Sequence, residues 1–128
     1  MSKFSEKVLR VVSNIPYGQV VSYGQVALYV GMPRAARQVG WILRQQEIPD
    51  LPWWRVINNA GRISIKGHRF NDAELQRKLL TSEKVEVDED FNLDIEKYRY
   101  RPDKKQLRKL KLDEDYIEIC LRKIPYLS

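Results

Sequence analysis

Thiol and imidazole groups are scarce in this chain. It has one cysteine, Cys120, and one histidine, His68, so no intramolecular disulfide can form and the pair cannot supply the four ligands of a zinc site. No residue set calls for a metal or a cofactor. Cys120 falls in a stretch with Leu107, Leu110, Ile117, Leu121 and Ile124 that reads as one lysine-rich amphipathic helix. A thiol there is usually a small buried hydrophobe rather than a nucleophile. The most informative segment is Leu51-Pro52-Trp53-Trp54-Arg55-Val56-Ile57. An indole has neither a nucleophilic anion nor a usable base, only one N–H donor and a broad apolar face. Taken alone, Trp53 and Trp54 could both be core anchors, although adjacent residues of an extended segment point to opposite sides. Tyr23 alone reads as a half-buried packing residue and Arg37 as a solvated charge. Trp41 reads as core, and His68 as an exposed loop residue, at best a phosphate neighbour.

The charge narrows the partner. The 128 residues hold 23 Lys plus Arg against 17 Asp plus Glu, a net +6, and the isoelectric point is near 9.5. That balance favours a polyanion. Residues 1–82 carry 12 basic and 5 acidic side chains, net +7, whereas residues 83–128 carry 11 and 12, net −1. The excess therefore sits in the first two thirds. A mean hydropathy of −0.53 and the lack of any apolar run near the roughly 20 residues of a membrane span argue against membrane anchorage. The N-terminus has neither a signal-peptide pattern nor a glycine after Met1 for acylation, which predicts an intracellular protein.

The elements that must position these residues can be read from spacing. Phe4, Val8, Val11, Val12 and Ile15 predict a helix over about Ser5–Asn14, ended by Pro16 and followed by a turn at Pro16-Tyr17-Gly18. Ser22 and Gln25 form a capping-box pattern that opens a second helix, which Gly31 ends. A third helix over roughly Pro33–Arg44 carries Ala36, Val39, Gly40 and Leu43 on one side and Arg34, Arg37, Gln38 and Arg44 largely elsewhere. Two helices around a glycine turn, the second basic, suit a helix-turn-helix, and a generic helical hairpin has the same pattern. Arg55–Ile57 and Arg62–Ile65 read as two short strands around a turn, a wing, and Asn71–Ser82 as a further helix. The expected fold is mainly α with a small β wing: a winged helix-turn-helix DNA-binding domain over residues 1–84, with a C-terminal extension over 85–128 packed on it.

Three segments in order, Ile15-Pro16-Tyr17-Gly18-Gln19-Val20-Val21-Ser22-Tyr23, Pro33-Arg34-Ala35-Ala36-Arg37-Gln38-Val39-Gly40 and Pro52-Trp53-Trp54-Arg55-Val56, resemble the DNA-binding domain of the O6-alkylguanine-DNA alkyltransferases. The similarity runs from about Ser5 to Val85. In the active enzymes the last block reads Pro-Cys-His-Arg-Val, so Trp53 stands at the nucleophilic cysteine and Trp54 at the histidine. Tryptophan at the cysteine position is similar to the alkyltransferase-like proteins, which bind alkylated DNA without repairing it and mark it for nucleotide excision repair. A histidine or tyrosine commonly follows that tryptophan, so Trp54 is a departure.

The resemblance implies roles. Arg37 would enter the base stack from the minor groove and fill the gap left by a flipped nucleotide. Tyr23 would press on the adjacent phosphate, and Trp53 would line an alkyl pocket with Trp54 and Gln46 near it. Gln46 falls near a family asparagine and Glu83 near a family glutamate, while Arg55 braces the loop. Arg34, Arg44, Arg62, Lys66 and Arg69 are the expected phosphate contacts. The implied function is a non-enzymatic, monomeric sensor of O6-alkylguanine in duplex DNA that recruits nucleotide excision repair proteins. It would act in the cytoplasm of a prokaryote or the nucleus of a eukaryote. The alternatives are a cysteine methyltransferase and a winged-helix transcription regulator.

Overall fold

The computed structural model describes residues 2–45, 50–63 and 73–126. Among these the chain runs α1 (Lys3–Ser13), β1 (Val21–Ser22), α2 (Tyr23–Tyr29), α3 (Ala36–Gln45), β2 (Val56–Ile57), α4 (Ala73–Ser82), α5 (Ile95–Tyr98), α6 (Lys104–Arg108) and α7 (Glu114–Lys123). Short 3-10 turns lie at Trp53–Arg55 and Ile124–Tyr126. The fold is mostly helical around a parallel pair of strands, with Val21 opposite Val56 and Ser22 opposite Ile57.

That small sheet divides the core. Val21 and Val56 join a cluster built from α1, α2 and α3, whereas Val20 and Ile57 join a second one with Ile63, Leu80, Val85, Leu93 and Ile95. Successive residues of a strand face opposite sides, so one short pair serves both clusters. The C-terminal residues complete the packing. Tyr100, Leu107, Leu110, Ile117, Cys120 and Ile124 lie in the first cluster, and Val20 exchanges backbone hydrogen bonds with Tyr98 and Tyr100 at 2.9 and 2.8 Å. The Tyr116 hydroxyl donates to the Leu28 carbonyl of α2 at 2.5 Å.

Local chemistry sets the helix starts. The capping box at α2 is formed: the Gln25 N–H donates to Ser22 Oγ at 3.0 Å and the Ser22 N–H donates to Gln25 Oε1 at 3.2 Å. Gly31 follows the helix at φ +87°. Beyond it the third helix begins at Ala36 rather than Pro33. The Ala35 N–H donates to the Met32 carbonyl at 2.9 Å, so Pro33 occupies the second position of a β-turn, which its fixed φ suits as well as it suits a helix start. The lysine-rich stretch expected as one helix is two, α6 and α7, broken where Lys111 takes φ +61°.

Strand pairing also departs from the expected wing. The turn is there, with the Asn58 N–H donating to the Arg62 carbonyl and the Gly61 N–H to the Asn58 carbonyl at 3.2 and 3.0 Å. However, Val56–Ile57 pairs in parallel with β1, and Arg62 bridges Asn92. Leu93 donates to the Gly61 carbonyl at 2.8 Å, so the segment after the turn runs beside residues 91–93. Gly61 sits at φ +82°, and a Cβ there would come within 2.4 Å of the Leu93 carbonyl oxygen. Ser64, Ile65, Asn71 and Asp72 lie outside the described residues.

One buried carboxylate ties the Pro52–Ile57 segment to the rest. Glu83, just past α4, is 6% exposed. It accepts from Arg55 Nε at 2.9 Å and Nη2 at 2.6 Å, from Trp54 Nε1 at 2.8 Å and from the Gly18 N–H at 3.0 Å. Arg55 Nη1 donates to the Ile15 carbonyl at 2.7 Å, and Gln76 Nε2 donates to the Trp54 and Val56 carbonyls at 3.0 and 3.1 Å. Burial alone would raise the Glu83 pKa, but the hydrogen bonds from Arg55, Gly18 and Trp54, with the Arg55 charge, outweigh it and hold the carboxyl below its ordinary 4.5. Because the folded value is the lower one, the resulting stability is fully present above pH 4.5 and is lost as pH falls through the folded value. Removing one member of such a buried pair costs about 3 kcal/mol. Glu83→Gln is therefore expected to lower unfolding stability in urea by about that amount near neutral pH, with the gap to the wild type closing below pH 4.5. A gap that stays constant as the solution is acidified would contradict the ionic role.

Candidate nucleic-acid interface

The candidate site lies on three segments: the start of α2, the length of α3, and the 3-10 turn after Pro52. Pro52 is buried, and Trp53, Trp54 and Arg55 are each partly exposed. Because these three residues form a 3-10 turn and not a strand, the indoles do not point to opposite sides. Their rings meet edge to face, centroids 5.9 Å apart at 89°. Trp54 packs against the second hydrophobic cluster while its N–H is used by Glu83 at 2.8 Å. The Arg55 guanidinium carbon lies 5.4 Å from the Trp54 ring centroid and 6.0 Å from that of Tyr17. Arg55 is thus a brace, joined to the Ile15–Gly18 turn and to Glu83.

Tyr23 is the first residue of α2, directly after the capping Ser22. Its ring lies against Gly40 of α3, 3.6 Å from the point a Cβ would occupy. Burial pushes its hydroxyl above the ordinary value of 10, with the Arg44 charge pulling the other way. At neutral pH it is a neutral hydroxyl, able to donate and to accept.

Arg34 sits in the turn before α3, Arg37 in the first turn of that helix and Arg44 in its last, all exposed, and Arg62 is exposed beside Gly61. Among the described residues none of these four is paired with a carboxylate. Gln46, Lys66, His68 and Arg69 lie outside the described residues. Trp41, expected in the core, is instead 57% exposed on α3. Val39 and Leu43 are the residues of that helix that turn inward. Helical spacing held the signal: Trp41 is four residues after Arg37 and so shares its face. Glu83 is marked in the sequence only by its place near a family glutamate, and no local feature reveals that four N–H groups from Gly18 and Trp54-Arg55 converge on it.

Cys120 is fully buried within the first cluster. Burial pushes its thiol up to about 11, against a small opposing effect of Lys123, so essentially no thiolate exists at neutral pH.

Comparison with known proteins agrees with this arrangement. Residues 3–85 match the family described as the 6-O-methylguanine DNA methyltransferase DNA-binding domain. The DNA base-flipping protein of Escherichia coli strain K12 is 43% identical over 98 residues, spanning 76% of this chain and 74% of that protein. Alkyltransferase-like protein 1 of Schizosaccharomyces pombe is 38% identical over 108 residues, 80% of this chain and 98% of the other. The crystal structure of S. pombe Atl1 in complex with damaged DNA containing O6-carboxymethylguanine matches with a TM-score of 0.73 at 38% identity, covering 80% of this chain and 98% of that one. On a family match of this length and relatives of this similarity, the chain belongs to the family of the 6-O-methylguanine DNA methyltransferase DNA-binding domain.

Proposed function

We propose that this protein is a non-enzymatic reader of alkylated DNA that binds duplexes containing O6-alkylguanine and turns the modified nucleotide out of the stack. The observation that carries the reading is the Pro52–Arg55 turn. It is held in place through Glu83 and offers two indoles in edge contact and no thiol, while the one thiol of the chain is buried and protonated. Such a turn can enclose an alkyl group by apolar contact but cannot accept it.

Each residue takes a physical task in this reading. Trp53, at the position of the family nucleophile, lines the alkyl pocket, and Trp54 forms its base from the core side. Gln46 completes the pocket. Arg37, exposed in the first turn of α3 and free of any carboxylate among the described residues, enters the stack and occupies the space the nucleotide leaves. Its flat, permanently charged guanidinium can stack and hydrogen-bond to the orphaned base together. Tyr23 meets the adjacent phosphate with a neutral hydroxyl. Arg34, Arg44, Arg62, Lys66 and Arg69 supply salt-sensitive phosphate contacts. The α2–α3 pair serves as the helix-turn-helix, and the segment after Asn58 as the wing. Bound as a monomer, the protein holds the lesion for nucleotide excision repair proteins, in the cytoplasm of a prokaryote or in a nucleus. Among the described residues no helix is long and apolar enough to cross a membrane.

Three measurements test this. Affinity for a duplex carrying O6-methylguanine should exceed that for the same duplex with guanine, and both should weaken with added salt; equal affinity would refute lesion reading and point to a sequence regulator. Incubation with DNA carrying a labelled methyl group should leave the protein unlabelled, and transfer of one label per chain would make it a methyltransferase. Arg37→Ala should cost about 1–3 kcal/mol of lesion binding, the scale of one stacking contact with a base. It should leave the melting temperature nearly unchanged, because an exposed arginine contributes little to stability. A large fall in melting temperature would instead make Arg37 a structural residue.

A further inference from the structure

Trp41 has no part in the site described so far. Its ring is 57% exposed, although it belongs to a helix whose inner face already has Val39 and Leu43 to bury. It lies one helical turn beyond Arg37, on the same outward face. Among the described residues nothing accepts a hydrogen bond from its indole N–H. A tryptophan left this open adds little to folding, so its broad apolar face is available to something outside the chain.

The surrounding charge indicates what that is. From Lys7 to Gln46 the sequence holds five cations, Lys7, Arg10, Arg34, Arg37 and Arg44, and not one Asp or Glu. Three of those arginines flank Trp41 on or beside α3 and are exposed. An apolar protein partner would leave these cations unmatched. Duplex DNA satisfies both features, with phosphates for the guanidinium groups and sugars and base edges for a flat ring.

We propose that Trp41 is a further DNA-contacting residue of α3, its indole packing in the minor groove against the intact duplex beside the point where Arg37 enters. Four residues of helix advance about 6 Å, close to two base-pair steps of about 3.4 Å, so the two side chains reach neighbouring but distinct steps. Arg37 acts where a nucleotide has left the stack; Trp41 acts on paired DNA, and its contribution is the same with or without a lesion. This assignment rests on the DNA-reading function proposed above.

The test uses full-length wild type, Trp41→Ala and Trp41→Phe, with labelled duplexes carrying guanine or O6-methylguanine, read by fluorescence anisotropy. Trp41→Ala should weaken binding to both duplexes by about tenfold while the ratio between them and the melting temperature stay as in the wild type. Trp41→Phe should keep most of the affinity. Unchanged affinity of Trp41→Ala for both duplexes overturns the proposal and leaves the ring to a protein partner. A loss confined to the lesion duplex also overturns it, by putting Trp41 in the alkyl pocket. The two readings fail separately: a wild type without lesion preference, weakened on both duplexes by Trp41→Ala, refutes lesion reading and supports the Trp41 contact. A lesion-preferring wild type matched by Trp41→Ala does the reverse.

Discussion

The Glu83 carboxylate sits nearly out of water, held ionised by donors that come from two segments far from it in the chain, Gly18 and Trp54-Arg55. A carboxylate moved into such a place is unfavourable unless all its lone pairs are used, and here four N–H groups point at it. The pairing with Arg55 is two-pronged, which fixes direction as well as distance. Because Arg55 also donates to the Ile15 carbonyl and Trp54 spends its only donor on Glu83, the turn that carries Trp53 has little freedom left. In the proposed DNA-reading role, a pocket wall held in this way would not have to be ordered when DNA arrives, which would save binding free energy.

The same economy runs through the packing. A sheet of two residues per strand separates two hydrophobic clusters because alternate side chains go to opposite sides. The C-terminal helices close the first cluster from behind, with Tyr116 bonded to α2 and Tyr100 to Val20. Gln25 joins these levels: it caps α2 and also donates to the Tyr100 carbonyl at 3.0 Å while Arg99 donates to it at 2.5 Å. Helix α3 can therefore leave its arginines and Trp41 outside, since its stability comes from Val39 and Leu43 and from elements that never meet the proposed DNA surface. The near-neutral charge of residues 83–128 fits a supporting position.

Much of this was legible beforehand where the physics is local. The capping box at Ser22 and Gln25, the left-handed glycine after α2, and the turn at Asn58–Gly61 depend on residues within a few positions of each other. What eluded sequence reading depended on distant contacts. Pro33 suits both a helix start and a β-turn, and only the Ala35–Met32 hydrogen bond chooses. The partner of Val56–Ile57 is Val21–Ser22 and not the next strand in sequence, because burial on both faces lets a short apolar pair take either neighbour. A large aromatic on an amphipathic helix is normally worth burying, which places Trp41 in the core on sequence alone, but Val39 and Leu43 already fill the inward stripe.

By itself the sequence determined the chemistry that is absent and the partner that is favoured. One cysteine and one histidine leave no intramolecular disulfide and no four-ligand zinc site, a tryptophan after Pro52 stands where a nucleophile is expected, and a one-sided excess of arginine and lysine asks for a polyanion. These are properties of residue identity and spacing, which survive in any fold. Only the tertiary structure decided how the site is held: that Glu83 gathers Trp54, Arg55 and Gly18, that Trp53 meets Trp54 at right angles, and that Trp41 faces out beside Arg37. Those facts follow from desolvation and from the geometry of groups up to 65 residues apart in sequence, which no local pattern encodes.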